Sequence, residues 1–269
     1  MIDELETVVV QITSMCPFNC PQCYMEKNDL EMDEQLAYKI VNWAKEHNAV
    51  AIQITGGEPL TYPFLDSFIR HCYDKGLLSF LSTSGYLCSA ERLNELQRCG
   101  LSAICISLNG MDEAIDRITR DTYQIAKKAV VASKDSEIET YINCVATQSN
   151  IDYLPKMIFW AKEHHVSGIC LLRPFNVNMD MDFPDNSHMN YLIEMCEEFP
   201  DFLHVENCFL EYWSKKYNSP VSCKDAGRKS VFFCVNGTIK PCSKAKCEPQ
   251  NAIDDLLCDL PVDKVCLGY

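Results

Sequence analysis

The sequence predicts an α/β protein, a partial (β/α)6 barrel followed by a small cysteine-rich α+β extension. Short apolar runs alternate with longer helical patterns over roughly the first 175 residues. The runs are bulky and mostly lack polar alternation, as expected for parallel strands that are covered on both faces. Six such units are too few to close an eight-stranded barrel, so we expect an open sheet.

The predicted strands read TVVVQIT, VAIQIT, LSFLST, SAICISL, TYINCVAT and GICLLRP. Amphipathic helices are predicted between them, over residues 36–44, 63–75, 90–98, 121–133 and 154–161. After residue 180 the alternation fades. We therefore predict a core of residues 1–180 and an extension of residues 181–269, which begins with a linker helix. Within the extension, CVNGTIKPC predicts a hairpin around Asn236 and Gly237.

Charge and composition exclude several classes of function. The formal net charge is −14 and the sequence pI is near 4.8, which argues against binding nucleic acid or an anionic membrane. No apolar run reaches transmembrane length. The N-terminus is acidic where a signal peptide would be basic, so we expect a cytoplasmic protein.

The 17 cysteines are of two kinds. Some are scattered through apolar stretches, where we expect most of them to be buried small hydrophobes. The others form one group near each end of the chain and are candidate ligands. The scattered set is Cys72, Cys88, Cys99, Cys105, Cys144, Cys170 and Cys196.

The predicted strands share polar or glycine-rich C-terminal ends, such as Gly56-Gly57-Glu58 after the second strand and Ser107 after the fourth. In parallel barrels this rim binds ligands. The loop after the first strand carries Cys16, Cys20 and Cys23 on the same rim. A structural zinc site needs four ligands, so zinc stays possible only with a fourth from elsewhere. A cubane iron–sulfur cluster held by three thiolates would keep one iron open for a chelating molecule.

The CxxxCxxC motif, followed by Tyr24 at the end of a first strand, resembles the radical S-adenosylmethionine (SAM) enzymes. The resemblance implies a [4Fe-4S] cluster on Cys16, Cys20 and Cys23, with SAM bound to the open iron. An electron from a flavodoxin- or ferredoxin-type donor then cleaves SAM to a 5′-deoxyadenosyl radical, which abstracts hydrogen from the substrate.

The same resemblance assigns further cofactor contacts to the strand ends. The GGEP motif would meet the amino group of SAM, and Ser107 its carboxylate or ribose, while an arginine would pair with the carboxylate. The residues so assigned are Tyr24, Gly56, Gly57, Glu58, Pro59, Ser84, Ser107, Asn109, Arg117 and Arg120.

The spacing of Cys223, Gly237 and Cys242 resembles the opening of SPASM and twitch extensions, which hold auxiliary clusters. This resemblance implies a second [4Fe-4S] cluster on Cys223, Cys242, Cys258 and Cys266, with Cys247 as a close alternative. A zinc knuckle is the other interpretation of this tail.

Cys234 fits no ligand position of the tail. It is either a hydrogen-atom donor to a substrate radical, as in some radical epimerases, or a packed core thiol.

We therefore predict an enzyme that modifies a ribosomally made peptide or protein by crosslinking, epimerisation or oxidation. The lack of room for a leader-binding domain before the first strand counts mildly against a peptide. The alternatives are a radical SAM dehydrogenase or epimerase of a small molecule, such as an aminocyclitol or sugar, and a non-catalytic zinc or electron-transfer protein.

Overall fold

The computed structural model describes residues 5–174, 183–206, 209 and 225–243. Its strands are β1 (Thr7–Thr13), β2 (Ala51–Gly56), β3 (Leu78–Thr83), β4 (Ala103–Ser107), β5 (Glu139–Val145), β6 (Gly168–Leu172), β7 (Leu203–Val205), β8 (Ser230–Phe233) and β9 (Ile239–Lys240). Its helices are α1 (Glu34–Glu46), α2 (Leu65–Asp74), α3 (Ala90–Cys99), α4 (Glu113–Thr119), α5 (Tyr123–Ser133), α6 (Gln148–Ile151), α7 (Leu154–Glu163) and α8 (Asn186–Glu198), with a 3₁₀ turn at Pro59–Thr61.

All of these strands form one sheet, in the order β7-β6-β5-β4-β3-β2-β1-β8-β9. Every neighbouring pair is parallel except β8 and β9, which are antiparallel. The predicted open, partly wound barrel of six βα units is confirmed in β1 to β6. The carboxyl ends of these strands lie along one edge, as the predicted ligand-binding rim requires.

The two faces of the sheet differ in what covers them. On β1, Val8, Val10 and Ile12 are fully buried in the core beneath the helices. The prediction that both faces are covered holds only for this outer face, because the inner, concave face lines a cavity.

The C-terminal hairpin forms where the sequence predicts it. Gly237 adopts a φ of 83°, and the backbone N–H of Cys234 donates to the Thr238 carbonyl over 2.8 Å. Strand β8 pairs with β1, and Phe233 packs edge-on against Trp43 of α1, with ring centroids 5.3 Å apart. The described part of the extension therefore continues the core sheet.

Three elements escape the sequence prediction: β7, α4 and α6. Each is only three to seven residues long, too short for a helical or strand periodicity to be recognised. None of the helices in the described ranges has both the length and the apolar character needed to cross a bilayer.

Candidate active site

A cavity of about 570 Å³ opens on the concave face of the sheet, at the carboxyl ends of the strands. It brings together residues from loops far apart in the sequence. Among the described residues on its wall are the predicted ligands and cofactor contacts Cys16, Cys20, Cys23, Tyr24, Gly56, Gly57, Ser84, Ser107 and Arg120.

The loop after β1 holds its three cysteines half-buried on the cavity wall. Backbone bonds fix its ends: the N–H of Ser14 donates to the Leu30 carbonyl over 2.8 Å, and the N–H of Met32 donates to the Ile12 carbonyl over 2.9 Å. Burial raises the pKa of the Cys16 thiol, so ligation of a positive metal centre would be needed to keep it deprotonated.

This donor set fits an iron–sulfur cluster, because three thiols from one anchored loop face a cavity with room beside them for a further ligand. Among the residues that the structure describes, no three His, Cys, Asp or Glu side chains form a group that could hold a single metal ion.

Gly56 and Gly57 bring β2 against the cysteine loop. The N–H of Gly57 donates to the Thr13 carbonyl over 2.8 Å, and the N–H of Glu58 donates to the Met15 carbonyl over 2.7 Å. A Cβ atom on either glycine would collide with one of these two carbonyl oxygens. The glycines are therefore required for the approach of two protein segments, and both also line the cavity.

Glu58 is completely buried, and its carboxylate binds within the protein. It accepts hydrogen bonds from the Thr83 hydroxyl at 2.6 Å, the Leu60 N–H at 3.1 Å, and both the N–H and the hydroxyl of Ser84. Glu58 thus ties the end of β3 to the end of β2, while Pro59 begins the 3₁₀ turn behind it. Neither Glu58 nor Pro59 is among the described residues that line the cavity.

The two candidate arginines lie in different surroundings. Arg120 is half-buried on the cavity wall, as is Ser107 at the end of β4. Arg117 is exposed on α4, where it forms ion pairs with Glu113 at 2.8 Å and Asp121 at 3.2 Å. Of these two arginines, the structure places Arg120, and not Arg117, where it could reach a ligand in the cavity.

Asn109 is buried behind the wall of the cavity and is not one of its described lining residues. Its side chain donates to Gln22 and to Thr119, and accepts a bond from the backbone of Val145. These bonds occupy the amide group that the resemblance assigns to the cofactor.

Among its described residues, the tail contributes Phe232 and Ser243 to the cavity wall. The Tyr24 hydroxyl donates to the Ser243 hydroxyl over 3.2 Å, and Ser243 lines the cavity next to Cys242 in the sequence. Cys234 lies at the start of the hairpin turn, half-buried, and is not among the described lining residues. The other predicted ligands of the tail, Cys223, Cys247, Cys258 and Cys266, lie outside the described residues.

Sequence reasoning missed the inner wall below the rim. Cys105 and Cys170, expected in the core, line the cavity together with Gln53, Ser82 and Asn143. Burial raises the pKa of the Cys105 thiol to about 12, so this thiol stays protonated at neutral pH.

The alternation of side chains along a strand could have predicted which residues face the cavity. Cys105 is two residues before Ser107, and side chains two apart on a strand share a face. Of the other scattered cysteines, Cys72 and Cys144 are buried in the core as predicted, whereas Cys88, Cys99 and Cys196 pack partly exposed against it.

Arg173 is a further cavity residue, to which the sequence prediction gave no specific role. It follows β6, is only 3% exposed and lines the cavity. Its backbone N–H donates to the Glu206 carboxylate over 3.3 Å, and Glu206 is also on the wall.

Comparison with known proteins gives relatives that act on peptides. The chain is 30% identical to the PqqA peptide cyclase of Bradyrhizobium diazoefficiens over 158 residues, which are 56% of this chain and 42% of that protein. It is 25% identical to the PqqA peptide cyclase of Methylorubrum extorquens over 259 residues, 90% of this chain and 67% of that protein. The matched part of the chain thus spans between 42% and 67% of the length of these relatives.

Solved structures share the fold at low sequence identity. SuiB of Streptococcus suis bound to its precursor peptide SuiA has a TM-score of 0.80 at 16% identity, covering 97% of this chain and 66% of SuiB. The structure named anSMEcpe, with bound AdoMet and the Cp18Cys peptide, has a TM-score of 0.72 at 14% identity, covering 97% of this chain and 82% of that one.

The family model described as the Radical SAM superfamily matches residues 10–161, more than half of the chain. This range contains the cysteine loop, the paired glycines and the ends of β1 to β5. On the motif, the open parallel sheet and this match, the chain belongs to the radical SAM superfamily.

Proposed function

We propose that this chain is a radical SAM enzyme that modifies a ribosomally synthesised peptide or protein. The observation that carries the proposal is the shared cavity: the CxxxCxxC thiols, the paired glycines, Ser107 and Arg120 face one space at the carboxyl ends of the strands. When bound, the [4Fe-4S] cluster and SAM supply a 5′-deoxyadenosyl radical that abstracts a hydrogen atom from the substrate.

The residues of the chain have three tasks in this proposal. Cys16, Cys20 and Cys23 hold the cluster. Arg120 pairs with the carboxylate of SAM, and Ser107 donates a hydrogen bond beside it. The sheet, which covers the cavity from below, shields the reacting atoms from water.

The inner wall supports a substrate with neutral hydrogen-bonding groups, as peptide amides are. The Gln53 amide donates to the Ser82 hydroxyl over 2.8 Å, and the Asn143 amide reaches the same oxygen at 3.4 Å. The Ser82 hydroxyl proton and the remaining groups of both amides are then available to a ligand. The cyclases and the SuiB–SuiA complex, named above as peptide-acting, point to the same class of substrate.

The test is mass spectrometry of peptides encoded beside this gene, incubated with anaerobically reconstituted enzyme, SAM and reductant in deuterated water. A peptide that has lost two hydrogens would indicate a crosslink or oxidation. A peptide that has taken up one deuterium at a carbon would indicate epimerisation. Turnover of an aminocyclitol or sugar in place of every peptide would favour the small-molecule alternative. Stable zinc binding without SAM cleavage would favour the non-catalytic one.

We also propose an auxiliary [4Fe-4S] cluster on the tail, with Cys223, Cys242, Cys258 and Cys266 as ligands. Its support is the position of Cys242, next to the cavity-lining Ser243. The proposal predicts about eight irons per chain, falling to about four in Cys242→Ala. Unchanged iron in that variant would contradict it.

A cytoplasmic location and a flavodoxin- or ferredoxin-type electron donor remain predictions. Fractionation of the source cells and reduction assays with purified donors test them.

A further inference from the structure

A hydrogen-bonding centre at Asn109 connects the cysteine loop to the rest of the rim. Asn109 is two residues beyond β4 and only 1% exposed. Its side-chain N–H groups donate to the Gln22 side-chain oxygen over 3.0 Å and to the Thr119 hydroxyl over 2.8 Å. Its side-chain oxygen accepts the N–H of Val145 over 2.9 Å. The amide group therefore contacts the cysteine loop, the end of α4 and the end of β5.

The backbone of Asn109 is held equally firmly. Its N–H donates to the carboxylate of Asp116 over 3.0 Å, and its carbonyl accepts a side-chain N–H of Asn150 over 2.9 Å. Asp116 and Asn150 are both buried. Because every polar group of Asn109 has a partner, the residue is fixed in position and can transmit that position to the cysteine loop.

The point of contact on the cysteine loop is Gln22, which lies between the ligands Cys20 and Cys23. Two hydrogen bonds hold Gln22. Its side-chain oxygen accepts one from the Asn109 side chain, and its backbone N–H donates the other to the Thr119 carbonyl over 3.1 Å. Within this segment, the Cys23 N–H also donates to the Cys20 carbonyl over 3.1 Å.

We infer that Asn109 is a positioning residue for the cluster rather than a cofactor contact: it sets where Cys20 and Cys23 lie relative to the ends of β4 and β5. The inference concerns the cluster-binding loop, and it holds whatever the substrate is.

The test compares three variants of the full chain after anaerobic reconstitution. Asn109→Leu removes all side-chain hydrogen bonds of the centre and keeps the branched shape of the side chain. Asn150→Leu is the matched control, since Asn150 is also a buried asparagine with bonds to Asn109, Val145 and Thr147, but none to the cysteine loop. Gln22→Met removes only the acceptor on the loop.

Two measurements separate positioning from stability: the rate of iron release to a chelator, and the electron paramagnetic resonance spectrum of the reduced cluster. Asn109→Leu and Gln22→Met should release iron about tenfold faster, the effect of one or two lost hydrogen bonds. Both should also change the spectrum. Asn150→Leu should lower the unfolding temperature as much as Asn109→Leu does but change the spectrum far less, because the bond from the Asn109 side chain to Gln22 remains.

Gln22 is only half-buried on the cavity wall, so its variant should fold even if Asn109→Leu does not. Wild-type iron release and a wild-type spectrum in Gln22→Met would overturn the inference. An equal effect of Asn150→Leu on the spectrum would overturn it as well.

Discussion

Arg117 and Arg120 are three positions apart, yet their surroundings predict opposite consequences for SAM binding. Arg117 forms exposed pairs with two carboxylates, and such pairs contribute little. Arg120 is half-buried on the cavity wall, where water screens a charge less effectively. The sequence supplied both as candidates for one role, because spacing alone does not show that α4 ends at Thr119 and that Arg120 follows it in extended backbone.

Arg120→Leu should therefore weaken SAM binding to the reconstituted protein by about tenfold to a hundredfold, the loss of a charge-assisted hydrogen bond. Equilibrium dialysis with labelled SAM measures this. Arg117→Leu is the control and should stay within about twofold of wild type. An equal loss of SAM affinity in both variants would show that Arg120 does not contact SAM.

Glu58 offers a second test at the residue scale, because its carboxylate accepts hydrogen bonds from other residues of the protein. Glu58→Gln places an amide N–H₂ opposite at least one of the donors from Thr83, Ser84 and Leu60, and so breaks the network. We expect the apo protein to lose about 1–3 kcal/mol of unfolding free energy in urea.

Glu113→Gln, which changes an exposed carboxylate, should cost under about 0.5 kcal/mol. If Glu58→Gln were as stable as wild type but bound SAM poorly, a direct contact with the SAM amino group would replace our interpretation.

At the scale of elements, the sequence predicted the strands and helices that are long enough to show a periodic apolar pattern. The strands β1 to β6 and the helices α1, α2, α3, α5 and α7 follow from apolar runs and stripes, and the hairpin follows from its Asn-Gly turn. The short α4 carries no such signal, yet it supplies Thr119 and Asp116 to the bonds around Asn109. Contacts that depend on such an element cannot be read from spacing.

The hairpin between β8 and β9 depends on Gly237. Its φ of 83° favours glycine, and a Cβ atom there would lie 2.8 Å from the Leu36 side chain of α1. Gly237→Ala should therefore lower the unfolding free energy by about 1–3 kcal/mol in urea denaturation, through backbone strain and crowding together.

Gly76→Ala is the matched control for this variant. Gly76 also has a positive φ, of 66°, but its Cβ would have only the end of Lys45 nearby, at 3.8 Å. It should show the backbone cost alone, about 1 kcal/mol. If Gly237→Ala were as stable as Gly76→Ala, the Leu36 side chain would have to move aside for the new methyl group at no cost in free energy.

At the scale of the whole molecule, the scattered thiols link stability to alkaline pH. Burial raises the pKa of Cys72, Cys88, Cys105 and Cys144 to about 12. In the unfolded chain these thiols ionise near pH 8.5. As pH rises above that value, the unfolded state loses protons that the folded state keeps, so stability is full below about pH 8 and declines as pH rises toward 12.

We expect the unfolding free energy of the reduced apo protein to fall by about 2 kcal/mol per thiol between pH 8 and 10. Urea denaturation at pH 8, 9 and 10 measures the slope. Cys105→Ala, which changes the cavity wall and leaves the core cysteines in place, should make the slope shallower by at most about a quarter, because burial also raises the pKa of Cys99, Cys170 and Cys196. A slope of zero would contradict the assigned burial of these thiols.

The central claim concerns the whole assembly: the cysteine loop holds a cluster that cleaves SAM. Its most direct test is the 5′-deoxyadenosine formed by the anaerobically reconstituted chain with SAM and a strong reductant. We predict 5′-deoxyadenosine and methionine in equal amounts, with none above background in a Cys16→Ala, Cys20→Ala, Cys23→Ala triple variant. A wild-type chain that retains iron on this loop, binds SAM and still yields no 5′-deoxyadenosine would contradict the account.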